Sequence, residues 1–241
     1  MNLASKDISD DFHSSKKIYL NNASVSLMPL QSIDAMKDFL ISYNSMGPDS
    51  KDSESFIAEK LDSVRKIIAK IICCQPDEVV LTQSTTDGIN IVANGLSFDK
   101  KSNIIIRGMT HEHHSNFYPW INLKDKLSVR SLLIDKNGFF ELDNLKSNID
   151  EDTKLVALSH ALYNTGSIIP IEKISKILNN KIPLFIDSAQ TIGCIGDHDV
   201  SKLKCNFMSF NGSKWLCGPM GTGLFYCNRK SGELLEPKTI G

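Results

Sequence analysis

The stretch NGSKWLCGPMGTG, residues 211–223, holds one lysine, Lys214, among small and glycine residues. It follows the apolar run Phe207-Met208-Ser209-Phe210, which reads as a buried strand. A lysine on a tight turn at a strand end packs poorly but presents an amine well inside a pocket. Asp187 lies 27 residues upstream and closes a second apolar run, Leu184-Phe185-Ile186. An amine at one strand end and a carboxylate at another is the pair that pyridoxal phosphate (PLP) requires. The lysine forms a Schiff base with the cofactor's carbonyl, and the carboxylate holds the pyridinium nitrogen.

Asp187 reads either as a helix cap or as a buried carboxylate. The apolar approach and the following Ser188-Ala189-Gln190 favour burial. A buried carboxylate needs a charged or strongly hydrogen-bonding partner, which a pyridinium N–H supplies. The glycines after Lys214 let backbone approach a ligand, and Asn211 and Ser213 add donors for a phosphate. Cys217 has no nearby base in the sequence and reads as a small packed thiol rather than a nucleophile. After the run 79–81 comes TQSTTDGIN, where Thr85 and Thr86 open a helix. Hydroxyls and free N–H groups at a helix start form an anion cradle, although a plain N-cap needs the same residues. Three histidines crowd the loop MTHEHHSN, namely His111, His113 and His114. No companion cluster with ligand spacing completes a metal site, so no metal is expected. A histidine stacked on a flat cofactor ring and solvated loop histidines both fit.

These groups need elements to position them. Helical spacing marks 32–43 and 55–72, the latter with Phe56, Ile57, Leu61, Val64, Ile67, Ile68 and Ile71 as its apolar face. Short apolar strands are expected at 78–82, 103–107, 128–134, 155–158, 184–187, 207–210 and 223–226, with helices at 87–96 and 171–178 between them. Continuously apolar strands alternating with helices predict an α/β fold: three α/β/α layers around a mainly parallel sheet. In such sheets ligands gather beyond the strands' carboxyl ends, and each candidate group follows a predicted strand.

The chain has 241 residues, 41% hydrophobic and 23% charged, with net charge −1. No global basic field points to nucleic acid, and no apolar run approaches the roughly 20 residues that span a bilayer. The polar start, residues 1–16, is expected to be flexible and has no apolar signal core. Six cysteines without a CxxC pair suit reduced thiols and a cytoplasmic location.

In order, LTQSTTDGINIVA, HEHHSNFYPW, FIDSAQTIG and FMSFNGSKWLCGPMGTG resemble four motifs of the class V aminotransferase and cysteine desulfurase family of fold-type I PLP enzymes. The resemblance runs from Ile18 to about Gly223. It implies Thr85 and Thr86 at the phosphate, His113 stacked on the ring, Asp187 on the pyridine nitrogen, Gln190 near the ring hydroxyl and Lys214 as the Schiff-base lysine. The chain departs from the family in Ser213, where His is usual, in Asn211, where many desulfurases have Ser, and in Tyr163, where many have Asn. The SKW form and the NG turn also resemble epimerase and lyase branches. The implied function is a PLP-dependent enzyme acting on a small amino acid, as desulfurase, lyase, epimerase or aminotransferase. The alternative is a non-catalytic or split-gene PLP-binding partner. Residues 17–241 correspond to the family's PLP-binding large domain, and its small C-terminal domain lies outside these residues. The resemblance therefore also implies a homodimer, or a second polypeptide supplying that domain, and weak catalysis by the 241 residues alone.

Overall fold

The computed structural model describes residues 9–12, 18–196 and 198–240. Helix α1 (Leu30–Met46) and helix α2 (Lys51–Ile72) lead into strand β1 (Val79–Thr82) and helix α3 (Thr85–Gly95). Strand β2 (Asn103–Arg107), helix α4 (Tyr118–Ile121), strand β3 (Ser128–Leu132), helix α5 (Leu142–Asn148) and strand β4 (Thr153–Ser159) follow. Helix α6 (Ile171–Leu178), strand β5 (Leu184–Asp187), helix α7 (Val200–Leu203), strand β6 (Phe207–Asn211), strand β7 (Gly223–Cys227) and helix α8 (Arg229–Gly232) complete the order.

The seven strands form one sheet in the order β1-β7-β6-β5-β4-β2-β3. Pairs β3/β2, β2/β4, β4/β5 and β5/β6 are parallel, whereas β7 pairs antiparallel with both β6 and β1. So β7 alone runs against the rest, and the sheet is mainly parallel as expected. Successive side chains of a strand face opposite sides, and two cores result. Ile105, Val156, Leu158, Ile186 and Met208 join α2, α5, α6 and α7 on one face. Ile104, Ile106, Leu155, Ala157, Phe185 and Phe207 join α3 and Trp120 of α4 on the other. That is a three-layer α/β/α fold, with the middles of β4 and β5 and most of β6 apolar because both faces are covered.

Several expected boundaries move. Helix α3 starts at Thr85 rather than 87, because the Ser84 side chain caps it by accepting from the Asp87 N–H. Helix α2 starts at Lys51 rather than 55, where Ser50 and Ser53 cap each other reciprocally. Strand β3 ends at Leu132 rather than 134. The apolar face expected for α2 is only partly used. Ile68 is buried, but Leu61, Val64, Ile67 and Ile71 are exposed, and α1 buries no residue at all. Only the last turns of α2 lie against the sheet. Most of the polar N-terminal stretch 1–16 lies outside the described residues. Within it, Ser9–Asp11 forms a 3-10 turn, and Asp11 accepts from Gln31 Nε2 at 2.6 Å.

The seat of α3 on the sheet depends on Gly88. A Cβ there would lie 2.3 Å from Ser209 Oγ and 2.7 Å from Ser209 Cβ, and Ser209 is fully buried in β6. Gly88→Ala is therefore expected to lower stability by about 1–3 kcal/mol through overpacking, and Ser209→Gly in the same chain to restore most of it. Urea unfolding of the single and double variants checks this; a neutral Gly88→Ala would show that α3 shifts freely.

Candidate functional site

The carboxyl ends of β1, β2, β4, β5 and β6 converge on one cavity of about 520 Å³. Thr85, Thr86, His113, Asp187, Gln190, Asn211 and Lys214, far apart in sequence, all line it. Ser213 does not. It is buried behind Asn211, whose Nδ2 donates to the Ser213 hydroxyl at 3.4 Å, and its carbonyl accepts from the Ser26 N–H at 2.9 Å. Ser213 thus holds Asn211 and the chain near Ser26, and offers no group to the cavity.

Asp187 is the last residue of β5, and its paired neighbour on β6 is Ser209. Its Oδ1 accepts from the Ala189 N–H at 2.9 Å. Burial is the main cause that pushes its carboxyl up from 3.8 to about 7; the Glu112 charge adds to this, while the Ala189 N–H and Lys214 oppose it. Lys214 is held below its ordinary value, mainly because burial disfavours the ammonium form and only secondarily opposed by Asp187. His113 is lowered by burial, by Lys214 and by His114, which favours the neutral ring. Its Nδ1 is 2.6 Å from Ser115 Oγ, and the Tyr163 ring meets it edge-on at 5.2 Å.

The three histidines separate. His111 Nε2 lies 3.0 Å from the Lys136 carbonyl oxygen and its Nδ1 is 2.9 Å from Asn164 Nδ2. His114 tilts against Tyr118. Among the described residues no group of three His, Cys, Asp or Glu side chains is placed to hold a metal ion.

At the start of α3 the Thr85 hydroxyl is buried without a partner, and so is Asn211 Oδ1 across the cavity. Buried polar atoms are normally hydrogen-bonded. Two orphans at one cavity, beside the positive end of a helix, fit an anionic ligand such as a phosphate.

Residue-by-residue reading of the sequence missed Glu112. It lines the cavity and is buried, with Oε2 3.1 Å from Arg107 Nη1 and Oε1 accepting from Ser159 Oγ at 2.6 Å and the His113 N–H at 2.9 Å. Arg107 is also buried, and its Nη2 donates to the Gly138 carbonyl at 2.6 Å. The sequence signal was a basic residue closing an apolar strand, with a carboxylate five residues on. Asn21, Ala23 and Ser24 also line the cavity, brought there by the chain preceding α1.

A three-layer α/β sheet with an amine and a buried carboxylate in one strand-end cavity defines a class of cofactor-binding enzyme folds. The sequence profile "Aminotransferase class-V" matches residues 18–241, and the chain belongs to that family. Class V aminotransferases use pyridoxal phosphate. The chain is 33% identical over 227 residues to a probable cysteine desulfurase of Methanothermobacter thermautotrophicus, covering 93% of this chain and 56% of the relative. A probable cysteine desulfurase of Pyrococcus abyssi is also 33% identical, over 228 residues, with the same coverage. Among solved structures, the apo cysteine desulfurase of Thermococcus onnurineus NA1 superposes with a TM-score of 0.84 at 30% identity, covering 93% of this chain and 56% of that one. The chain spans about half the length of the curated relatives it matches.

The buried ion pair behind His113 yields a test. Glu112→Gln leaves Arg107 charged, buried and short of its counter-ion, and is expected to cost about 3–5 kcal/mol in urea unfolding. Arg107→Met combined with Glu112→Gln should recover most of that loss; a double variant as unstable as Glu112→Gln alone would rule out the ion pair as the cause.

Proposed function

We propose that residues 17–241 form the PLP-binding large domain of a cysteine-desulfurase-like enzyme, with a small amino acid, cysteine first among them, as substrate. The observation that carries the proposal is the pairing of Asp187 and Lys214, both desolvated, in the same strand-end cavity. The cavity's residues fit the cofactor. Thr85, Thr86 and Asn211 would take its phosphate, Asp187 its ring nitrogen and Gln190 its ring oxygen. His113 would cover its face and Lys214 would bind it covalently. When bound, the cofactor supplies an electron sink for bonds at the substrate's α-carbon.

The chain's own groups suit the remaining tasks. Burial disfavours the ammonium form of Lys214, which suits its Nζ to act as a nucleophile and later as a base for the α-proton. A buried carboxylate without a counter-ion is costly, and a protonated ring nitrogen beside Asp187 would remove that cost. A neutral His113 stacks on a flat ring without placing a second positive charge beside Lys214. The names of the relatives favour desulfuration; lyase, epimerase and aminotransferase outcomes share the same early steps.

We further propose a cytoplasmic location, which suits six free cysteines, and a second copy or second polypeptide as partner. The exposed Leu40, Ile41 and Ile67 of α1 and α2 support a partner, since apolar patches of this kind commonly mark interfaces. Among the described residues no helix is long and apolar enough to cross a membrane.

Borohydride reduction of the PLP-loaded chain is expected to attach the cofactor at Lys214, as read by peptide mass, and Lys214→Ala to abolish the attachment. Labelling of a different lysine in the parent chain would sink the assignment.

Asp187 makes a second, pH-dependent prediction. Its folded value near 7 lies above its ordinary 3.8, so between these values the folded chain holds a proton that the unfolded chain has lost. That contribution is complete below about 3.8 and is lost as pH rises through about 7. PLP-free Asp187→Asn is therefore expected to show a flatter Tm between about pH 4.5 and 7.5, and a higher Tm than the parent at the upper end. The same variant should bind PLP at least about tenfold more weakly, because it loses the charged hydrogen bond. Parallel Tm profiles for the two proteins would refute the buried-carboxylate account.

A further inference from the structure

Trp215 follows the proposed cofactor lysine, and its side chain turns to a different task. Its indole Nε1 donates to Gln190 Oε1 at 2.8 Å, and Gln190 Nε2 donates to the Ala23 carbonyl at 2.8 Å. An indole N–H only donates and a backbone carbonyl only accepts. The two partners therefore fix which end of the Gln190 amide faces which way, a choice that an isolated amide leaves open. One amide N–H of Gln190 is used on Ala23. The other remains, on a residue that lines the cavity.

The same three segments meet twice more. The Ser26 N–H donates to the Ser213 carbonyl at 2.9 Å. Gly193, at φ +86°, brings the turn after Gln190 so close that an added Cβ would stand 2.6 Å from the Trp215 carbonyl oxygen. Residues 21–26, 188–193 and 213–215 are thus tied into one unit. Asn21, Ala23 and Ser24 of that unit form part of the cavity wall.

We propose that Trp215 is a positioning residue whose indole N–H locks the Gln190 amide, so that Gln190 presents an N–H donor to the bound ligand and clamps residues 21–26 as the cavity wall. The ligand atom facing Gln190 is then an acceptor, such as a deprotonated ring oxygen. The donor arm rests on the reading of the cavity as a PLP site; the clamp does not.

Hydrogen exchange of the PLP-free chain tests the clamp. Trp215→Phe keeps a ring of similar bulk and removes the N–H. Exchange of the Ser24, Val25 and Ser26 amides should rise about fivefold, as loss of one neutral hydrogen bond predicts. PLP titration followed by absorbance tests the donor arm. Trp215→Phe and Gln190→Ala should each raise the Kd about fivefold or more, and the double variant should be no worse than Gln190→Ala alone, because Trp215 acts through Gln190. Additive losses in the double variant, or parent-like exchange at 24–26 in Trp215→Phe, would overturn the proposal. Should Trp215→Phe fail to fold, Gln190→Glu replaces it. Its carboxylate still accepts the indole N–H but has no N–H for Ala23, so 24–26 should again exchange faster, and parent-like exchange would again overturn the proposal. A parent chain that takes up no PLP would refute the cofactor reading, while the exchange experiment would still decide the clamp.

Discussion

A carboxylate closed inside the sheet is the constraint around which the site is organised. Asp187 ends β5, between β4 and β6 and with its side chain buried, and the Ala189 N–H is the donor it receives. Lys214 and Glu112 act on it with opposite signs, and neither offsets the cost of burial. Such a group is tolerated where a ligand is to complete it, and perturbed carboxyls in clefts commonly mark function. The same desolvation that raises Asp187 lowers Lys214, so one dry environment prepares both an acid and an amine.

The geometry that brings them together is a property of the sheet. Parallel strands β4, β5 and β6 all end at one edge of the sheet, where Ser159 pairs with Asp187, Asp187 pairs with Ser209, and Asn211 closes β6 just beyond. The reversed strand β7 then begins where β6 ends, pairing Gly223 with Asn211 on one side and with Thr82 on the other. That placement carries the start of α3 up to the same edge. Gly88 allows α3 to rest on Ser209, whose hydroxyl donates to the Thr85 carbonyl at 2.9 Å, and the start of α3 is fixed relative to β6.

A second polar layer supports the histidine loop. Arg107, Glu112, Ser159, Asn116 and Trp120 form a chain of buried hydrogen bonds beneath His113. Buried networks of this kind hold one arrangement because breaking any member leaves a costly unpaired group. A short loop carrying three histidines thereby gains a defined shape. One ring reaches the cavity, and the other two make separate contacts outside it.

The sequence by itself determined the layers, most strand positions and which ionisable groups stand at the strand ends. Apolar runs such as Ile104-Ile105-Ile106 and Leu184-Phe185-Ile186 are local facts, and so are Asp187 and Lys214 at the ends of such runs. Only the tertiary structure decided the rest. Strand direction depends on pairing, so the reversal of β7 carries no local signature. The exposed stripe on α2 has the same periodicity as a buried one, and only the absence of a covering layer among the described residues distinguishes them. Ser213 and Glu112 exchanged their expected standing for the same reason. The serine beside the lysine is not part of the cavity lining while the carboxylate beside the histidine is, and side-chain placement at loop positions is set by contacts that a local reading does not contain. The orientation of the Gln190 amide belongs here too, since its partners, Ala23 and Trp215, stand 167 and 25 residues away.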